Sequence, residues 1–353
     1  MKWHSELVLP VTVTVIFTIT FLVVPAVSAC TRILWNPSDS VTIVGRTMDW
    51  AESTQPKLWV FPRGIQRDGG MMGPVRLIND RPARWKSKYG SVVVSGYDLG
   101  SFDGMNEQGL GMHLLFLTAT DYGVPDDTKD GIQAGLWGQY LLDNAASVDE
   151  AIDLMKGIQP VMVEHGGFRS TLHLAIEDSS GDSAIVEYVG GKAKIYHGSQ
   201  HRVMTNDPPY DQQLKELSKW DFSDATRKTP LPGNVNPIAR FVRANYFLES
   251  LRKPRSEREA IASVLSIARN ASVPFNAPYK TPGTIYDTEY RTVADLAARR
   301  YFFELTTSPN VIWIDLNAFD LREGGETKTL DPNDIHLSGS VESNFQVVDQ
   351  PPF

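Results

Sequence analysis

Short segments in which apolar and polar residues alternate recur along the chain, and they predict β-strands joined by tight turns. Residues 31–35 and 41–47 form the first such pair, and the intervening residues 36–40 are rich in Asn, Pro, Ser and Asp, which is typical of a turn. We therefore expect an antiparallel hairpin at this point. Further strands are predicted over residues 58–62, 91–97, 110–116, 171–176, 184–189, 192–197, 202–205, 290–296, 300–305 and 311–316.

The helices are predicted in two regions, each of which contains a capping box. Ser147 followed by Glu150, and Ser256 followed by Glu259, have the spacing that starts a helix. Strands come in runs and helices in pairs, which favours the α+β class, and two antiparallel sheets between helix layers fit this order. No Pro/Gly/Ser-rich linker divides residues 30–353, so we expect one domain. Helices are predicted over residues 131–158, 211–220, 238–251 and 256–270.

The first 29 residues have the layout of a secretory signal peptide. Lys2 is followed by an apolar run over residues 7–24 and by small residues that end at Ala29. We expect cleavage before Cys30, a periplasmic or secreted mature protein and no stable membrane anchor. An uncleaved membrane anchor is the weaker alternative, because the apolar run is long enough to span a bilayer.

Composition excludes several functional classes. The 353-residue chain has a net charge of −8, which argues against a nucleic-acid partner. Its single cysteine excludes an intramolecular disulfide framework. Its seven histidines show no metal-binding spacing, so neither a metal nor another cofactor is expected.

Cys30 stands directly after the predicted cleavage site. If the leader is removed there, one residue carries both a thiol and a free α-amine, which are a nucleophile and a base. The same junction, Val27-Ser28-Ala29-Cys30, also fits a bacterial lipoprotein box, in which lipidation and acylation would consume both groups. A third interpretation is a small buried apolar residue without a chemical role. The first two exclude each other, since the same two groups cannot be both free and modified.

The predicted hairpin returns Arg46 and Asp49 to the neighbourhood of Cys30. We expect Arg46 to favour the thiolate and Asp49 to hold the α-amine. The alternative for an isolated Arg and Asp is a surface ion pair at the end of a strand. His113, in a later predicted strand, is expected to be a packed histidine and not a catalyst.

Six segments of the chain share one order and spacing with a known family. They are Cys30-Thr31-Arg32 and residues 46–50, 105–110, 203–208, 231–233 and 239–243. Together they resemble the choloylglycine hydrolase family of N-terminal-nucleophile (Ntn) hydrolases, which includes penicillin V acylases and conjugated bile salt hydrolases. The exported leader and residues 180–188 and 308–313 are most similar to the Gram-negative penicillin V acylase branch. The resemblance covers essentially the whole predicted mature chain, and its specificity comes from the order and spacing of the motifs.

The resemblance implies an αββα sandwich, often assembled as a dimer or tetramer, and it assigns roles to five residues. Cys30 is the implied nucleophile, with Arg46 and Asp49 beside its thiol. Asn206 matches the asparagine that helps to form the oxyanion hole, and Arg240 matches a second arginine that supports the site. Taken alone, Asn206 would be a turn residue and Arg240 a charge on a helix surface.

The implied substrate is a small molecule with an N-acyl amide bond. Trp50 and Phe116 are the candidate substrate-binding residues, because an aromatic pair near the thiol would suit a phenoxyacetyl group or a fatty acyl chain. Either residue could instead be core packing. We expect penicillin V and N-acyl homoserine lactones to be the substrates, with conjugated bile salts as the alternative. A lipid-anchored scaffold or binding protein is the alternative from another functional class.

Overall fold

The computed structural model describes residues 30–38, 40–165, 168–223, 226, 228–277 and 286–353. The predicted signal peptide, residues 1–29, lies outside this part of the chain. The strands of the described residues are β1 Thr31–Ser38, β2 Val41–Trp50, β3 Lys57–Phe61, β4 Gln66–Asp68, β5 Met71–Met72, β6 Val75–Arg76, β7 Arg84–Lys86, β8 Ser91–Gly96, β9 Gly100–Asn106, β10 Gly111–Phe116, β11 Asp130–Gln133, β12 Ile158–Val161, β13 Glu164–His165, β14 Phe168–Arg169, β15 Leu172–Glu177, β16 Ser183–Val189, β17 Lys192–His197, β18 Val203–Thr205, β19 Asp287–Asp295, β20 Arg300–Leu305, β21 Ile312–Asp315, β22 Lys328–Leu330, β23 Gly339–Ser340 and β24 Gln346–Val347.

The helices of the described residues cluster in the sequence as predicted. None of them is both long and apolar enough to cross a membrane. The α-helices are α1 Trp137–Asn144, α2 Val148–Met155, α3 Tyr210–Leu217, α4 Pro237–Glu249 and α5 Glu257–Ala271, and short 3₁₀ helices cover Ala134–Leu136, Leu316–Ala318 and Glu342–Asn344.

Two large sheets form the centre of the fold. The first has the order β18-β1-β2-β19-β20-β21-β23 and is antiparallel except for its last pair, β21 with β23. The second has the order β17-β16-β15-β10-β9-β8-β3-β22-β24 and is antiparallel throughout. Helices α4 and α5 contact the first sheet, and α1 contacts β9 and β10 of the second. The predicted α+β class and αββα arrangement are therefore confirmed.

The hydrophobic core has two main parts, one on each side of the second sheet. One part joins the two sheets to each other and to α4 and α5, and the other joins the second sheet to α1 and α2. Gly45 lets α5 lie close to β2, because a Cβ atom at this position would stand only 2.7 Å from Cγ1 of Val264. This close contact fixes the hairpin β1–β2, which carries the candidate site, against a helix.

The predicted hairpin and both serine N-caps are confirmed, while Glu150 and Glu259 accept from the backbone N–H of the residue before each cap, Ala146 and Arg255. Ser147 Oγ accepts a hydrogen bond from the Glu150 amide at 3.3 Å, and Ser256 Oγ accepts one from the Glu259 amide at 3.2 Å. The helix predicted from residue 131 is wrong over its first residues, which form β11 and a 3₁₀ turn. Gly131 and Gly135 weaken a helix there, and β11 instead pairs in parallel with β12.

Candidate active site

The candidate site forms where three strands of the first sheet end beside Cys30. In the hairpin, Thr31 of β1 is paired with Thr47 of β2, which leaves Asp49 one pleat further along. On the other side of β1, Thr31 is paired with Thr205 of β18, so Asn206 directly follows the paired strand. Residues about 180 positions apart in the sequence thus meet at Cys30.

The Cys30 thiol is buried against the hairpin. Its Sγ lies 3.6 Å from Arg46 Nη2, 3.8 Å from Met48 Sδ and 3.9 Å from the carbonyl oxygen of Asp49. Burial raises the pKa of the thiol, and the Arg46 guanidinium opposes that shift without cancelling it. Arg46 therefore lies where it was predicted. Because the resting thiol holds its proton more tightly than a free cysteine does, it needs a base to become a nucleophile.

Two of the predicted residues hold the backbone of Cys30 from opposite sides. The backbone nitrogen of Cys30 donates to Oδ1 of Asn206, and its carbonyl oxygen accepts a hydrogen bond from Arg240 Nη1 at 2.8 Å. Arg240 Nη1 also donates to Thr31 Oγ1 at 2.5 Å. Since Cys30, Asn206 and Arg240 are all buried, these bonds fix the residue and its thiol in one position.

Asn206 also connects Cys30 to the second sheet. Its Nδ2 donates to the carbonyl oxygen of Phe116, the last residue of β10, at 2.8 Å. The resemblance implies that this amide is an oxyanion donor, and in the structure the same Nδ2 group is bonded to Phe116. Asn206 therefore lies between Cys30 and one of the candidate substrate-binding residues.

Asp49 is buried beside Cys30. Its expected contact with the α-amine stays a prediction, because in the 353-residue chain the nitrogen of Cys30 is a peptide N–H, which donates to Asn206. The Asp49 carboxylate accepts hydrogen bonds from Thr47 Oγ1 at 3.1 Å and from Thr288 Oγ1, and it lies 3.5 Å from Arg240 Nη1. Burial raises the pKa of Asp49 to about 6, against the effect of Arg240. Asp49 is thus paired with Arg240, the residue that holds the Cys30 carbonyl, and its charge also opposes ionisation of the Cys30 thiol.

An apolar pocket opens above the thiol, and both candidate substrate-binding residues line it. The rings of Trp50 and Phe116 are 5.9 Å apart and inclined at 60°. Cys30 and Arg46 form the polar part of the wall. The remaining lining residues are Met48, Thr54, Tyr97, Phe102, Leu114 and Leu172.

Tyr97 is a pocket residue that the sequence did not reveal. Its hydroxyl accepts a hydrogen bond from Trp50 Nε1 at 2.9 Å and donates to Glu52 at 3.0 Å. Tyr97 occupies the β8–β9 turn with a φ of 55°, and Asp98 follows with a φ of 53°. A bulky residue rarely adopts this left-handed conformation, so no turn signal in the sequence points to Tyr97.

Within the described residues, one group of side chains has a geometry that could hold a metal ion. Asp149, Asp182 and His197 bring their ligand atoms within 4.8 Å of one another near the surface. His197 Nε2 is already hydrogen-bonded to Asp182 Oδ2 at 2.7 Å, which accounts for the close approach of these side chains. None of the three lines the pocket of Cys30, so they do not contribute to the candidate site.

Comparisons with known proteins agree on one relationship. The model of the linear amide C–N hydrolases, choloylglycine hydrolase family, matches residues 30–335. A penicillin V acylase of Pectobacterium atrosepticum is 37% identical over 349 residues, which cover 90% of this chain and 90% of that protein. A bile salt hydrolase/transferase of Clostridium perfringens is 23% identical over 324 residues, covering 85% of this chain and 96% of that protein. The structure of the penicillin V acylase from Agrobacterium tumefaciens superposes with a TM-score of 0.81 at 40% identity, covering 91% of this chain and 98% of that one.

Proposed function

Because the chain belongs to the choloylglycine hydrolase family of linear amide C–N hydrolases, we propose that it is an acylase whose nucleophile is an N-terminal Cys30. Its preferred substrates are penicillin V and N-acyl homoserine lactones. One observation carries this proposal. The only thiol of the chain lies at the wall of an apolar pocket, with its own backbone nitrogen and carbonyl held by Asn206 and Arg240.

The reaction proceeds in two steps. The α-amine of Cys30 takes the proton of the thiol, and the thiolate attacks the amide carbonyl, forming a carbon–sulfur bond and an oxyanion. Asn206 Nδ2 exchanges its bond to the Phe116 carbonyl for one to this oxyanion, beside a backbone N–H. The carbon–nitrogen bond breaks as the leaving amine takes a proton from the α-ammonium. Water then hydrolyses the thioester, releasing the carboxylic acid and restoring the thiol.

The burial of the thiol is consistent with a mechanism in which the thiol is the nucleophile and the α-amine is the base. Burial raises the pKa of Cys30, so at rest the site does not hold a stable thiolate. The α-amine, with an ordinary pKa of about 7.7–8.0, is a base suited to remove the proton at neutral pH. Asn206 accepts a hydrogen bond from the same nitrogen, which places the base beside the thiol it serves.

The mechanism requires that residues 1–29 are removed and that Cys30 is unmodified. We propose that the chain is exported and that the mature protein is periplasmic or secreted without a membrane anchor. Intact-mass measurement and N-terminal sequencing of the exported protein are expected to show a chain that starts at an unmodified Cys30. A diacylglyceryl or N-acyl adduct, or a retained leader, would overturn the mechanism and favour the lipid-anchored scaffold. The dimer or tetramer implied by the family resemblance stays a prediction.

The pocket supports an aromatic or apolar acyl group, since Trp50 and Phe116 both line it and pack against each other there. We expect Phe116→Ala to lower kcat/KM for penicillin V about 10- to 100-fold, the usual effect of losing apolar contacts with a substrate group. Hydrolysis of an N-acetyl analogue, which is too short to reach the ring, should change little. Steady-state kinetics with both substrates tests this. Trp313→Ala removes an exposed aromatic side chain that does not line the pocket and is the matched control.

Conjugated bile salts are the second candidate substrates, because the chain is also similar to a bile salt hydrolase/transferase. The deciding experiment compares kcat/KM of one enzyme preparation for penicillin V, for N-acyl homoserine lactones of increasing chain length, and for glycine- and taurine-conjugated bile salts. The proposal expects the first two classes to be preferred. A preference for bile salts would reverse the assignment, and no hydrolysis of any of the three would remove the proposed substrates.

A further inference from the structure

A row of charged side chains crosses the space between the two sheets directly behind Cys30. Arg32 and Arg46 come from β1 and β2 of the first sheet. Asp103, His113 and Glu177 come from β9, β10 and β15 of the second. None of the five is more than 2% exposed. Buried charges are costly unless each is paired, so the contacts within this row determine which charge state is stable.

His113 lies between the two carboxylates. Its Nε2 is 2.7 Å from Glu177 Oε1, and its Nδ1 is 3.3 Å from Asp103 Oδ1. The other oxygen of Glu177 accepts a hydrogen bond from Arg32 Nε at 2.9 Å. Burial alone would lower the pKa of His113, but the carboxylates of Glu177 and Asp103 raise it to about 9. His113 is therefore an imidazolium at neutral pH, in agreement with the prediction that it is a packed histidine.

Arg46 lies between two groups that compete for its charge. Its Nη2 is 3.6 Å from the Cys30 sulfur, and its Nε is 3.8 Å from Asp103 Oδ2. Its Nη1 donates to the Phe102 carbonyl at 2.5 Å, which anchors the guanidinium. Any other partner of Asp103 therefore leaves more of the Arg46 charge available to a thiolate. Asp103 has two such partners, His113 and Thr292 Oγ1, which donates to it at 2.6 Å.

The charge count makes the same point. Arg32, Arg46 and His113 supply three positive charges, and Asp103 and Glu177 supply two negative ones. The row thus carries a net charge of +1 while the thiol is protonated, and ionisation of Cys30 brings it to zero. If His113 were neutral, the row would already be balanced, and a thiolate would add an uncompensated negative charge to the protein interior.

Other ionisable groups that face the row do not change this count. Tyr290 and Tyr301, on β19 and β20, interact electrostatically with Asp103, and burial raises the pKa of both phenols well above the usual value, so they are neutral. The charge of Asp49 also opposes ionisation of the Cys30 thiol, but Asp49 is paired with Arg240 at 3.5 Å, so the two together add no net charge. Among the groups that face Cys30, the positive charge of His113 is therefore the one that a thiolate would neutralise.

We infer that His113 is a positioning residue for the nucleophile. Its imidazolium pairs with the Asp103 carboxylate, and the Arg46 cation therefore stays available to the Cys30 thiolate. The inference rests on the proposed role of Cys30. His113 acts through Asp103 and Arg46 and touches neither the thiol nor the pocket.

The rate of alkylation of Cys30 by iodoacetamide, measured from pH 5 to pH 11, tests the inference. Cys30 is the only cysteine, so the modified residue is unambiguous. The midpoint is the apparent pKa of Cys30 fitted to the part of the profile below pH 9, where the wild-type His113 is an imidazolium. His113→Gln is expected to move this midpoint upward by about one unit, because one buried charge commonly shifts a neighbouring pKa by one unit or more. The alkylation rate near neutral pH would then fall about tenfold.

A second variant must move the profile in the opposite direction. Asp103→Asn removes a negative charge that competes for Arg46, so the midpoint should move downward. The double variant H113Q/D103N restores the net charge of the row and should return close to the wild-type midpoint. General damage to the core would expose the buried thiol and change its alkylation in the same direction in all three variants, without reversing sign between them.

His173→Gln is the matched control. His173 is also buried in the second sheet and also pairs with a glutamate, with its Nδ1 3.0 Å from Glu187, but it contacts neither Asp103 nor Arg46. Its thermal unfolding should resemble that of H113Q, while its alkylation profile should match the wild type. Thermal unfolding of every variant separates loss of folding from a shift of the profile.

Two results would overturn the inference: an unchanged midpoint in folded H113Q, or an upward shift in D103N. If H113Q does not fold, the downward shift required of D103N still decides the question. Alkylation does not depend on amide hydrolysis, so the test of His113 can succeed even if the proposed function is wrong. In that case the midpoints would shift as expected in a protein that hydrolyses none of the amide substrates.

Discussion

Cys30→Ser is expected to abolish amide hydrolysis, with a fall in kcat/KM of at least about a thousandfold, which is the usual result of removing a nucleophile. Serine has nearly the same shape as cysteine, so the change tests the chemistry of the sulfur and little else. An alcohol is far less acidic than a thiol, so the same α-amine generates much less of the attacking anion in a site built around sulfur. The measurement is kcat/KM with penicillin V and with an N-acyl homoserine lactone.

The substitution should leave the fold intact, because the sulfur makes only long contacts with Arg46, Met48 and the Asp49 carbonyl. Met48→Leu is the matched control. It changes a neighbour of the sulfur without removing a reacting group, and such volume-conserving swaps usually cost less than about 1.5 kcal/mol of stability. A folded C30S protein that keeps activity within tenfold of the wild type would contradict the role of Cys30. A lipid-anchored scaffold would lose only its membrane attachment.

The parts of the site that lie close together in the sequence were predictable from it. The alternating pattern on both sides of residues 36–40 predicts the hairpin, and a hairpin necessarily returns Arg46 to the start of β1. The capping boxes predict where α2 and α5 begin, because Ser147 and Ser256 each satisfy a backbone amide of their own helix. Local hydrogen bonding determines these features, and local sequence is sufficient to predict them.

The partners of Asp49 and of the Cys30 nitrogen were not predictable in this way. Asp49 is bonded to Thr288, which is 239 residues away and reaches it only because β19 pairs with β2. The Cys30 nitrogen finds Asn206 because β18 pairs with the other edge of β1. No local sequence pattern predicts which strands pair with each other. The expectation that Asp49 holds the amine used the hairpin alone, which carries no information about Asn206 at the opposite edge of β1.

The protonation state of His113 was also not predictable from its own strand. An alternating apolar strand correctly predicts that His113 is packed, but its charge depends on Asp103 from β9 and Glu177 from β15. Both pairs require the antiparallel register of the second sheet, in which His113 is opposite Asp103 on one side. The sequence can thus predict burial of a histidine from its own strand, whereas its protonation state depends on the neighbouring strands.

Asn206→Ala is expected to lower kcat about 10²- to 10³-fold, the typical result of removing one side-chain donor from an oxyanion hole. Two functions of the amide are lost together in this variant. Oδ1 no longer accepts from the Cys30 nitrogen, and Nδ2 is no longer available to the oxyanion. The affinity for substrate should change less than kcat, because the apolar pocket is unaltered. Single-turnover and steady-state kinetics measure the two effects separately.

Asn206→Asp distinguishes the two functions, because an aspartate keeps the acceptor for the Cys30 nitrogen and removes the donor. If oxyanion stabilisation is the main contribution, N206D should lose nearly as much kcat as N206A. Recovery of most of the activity in N206D would instead mean that holding the Cys30 nitrogen is the main role, and the oxyanion donor would have to be sought elsewhere. Asn245→Ala is the matched control, since that amide also bonds to one backbone carbonyl, of Phe241 at 2.8 Å, on α4 outside the pocket. It should leave kcat unchanged, because its loss affects only a helix contact.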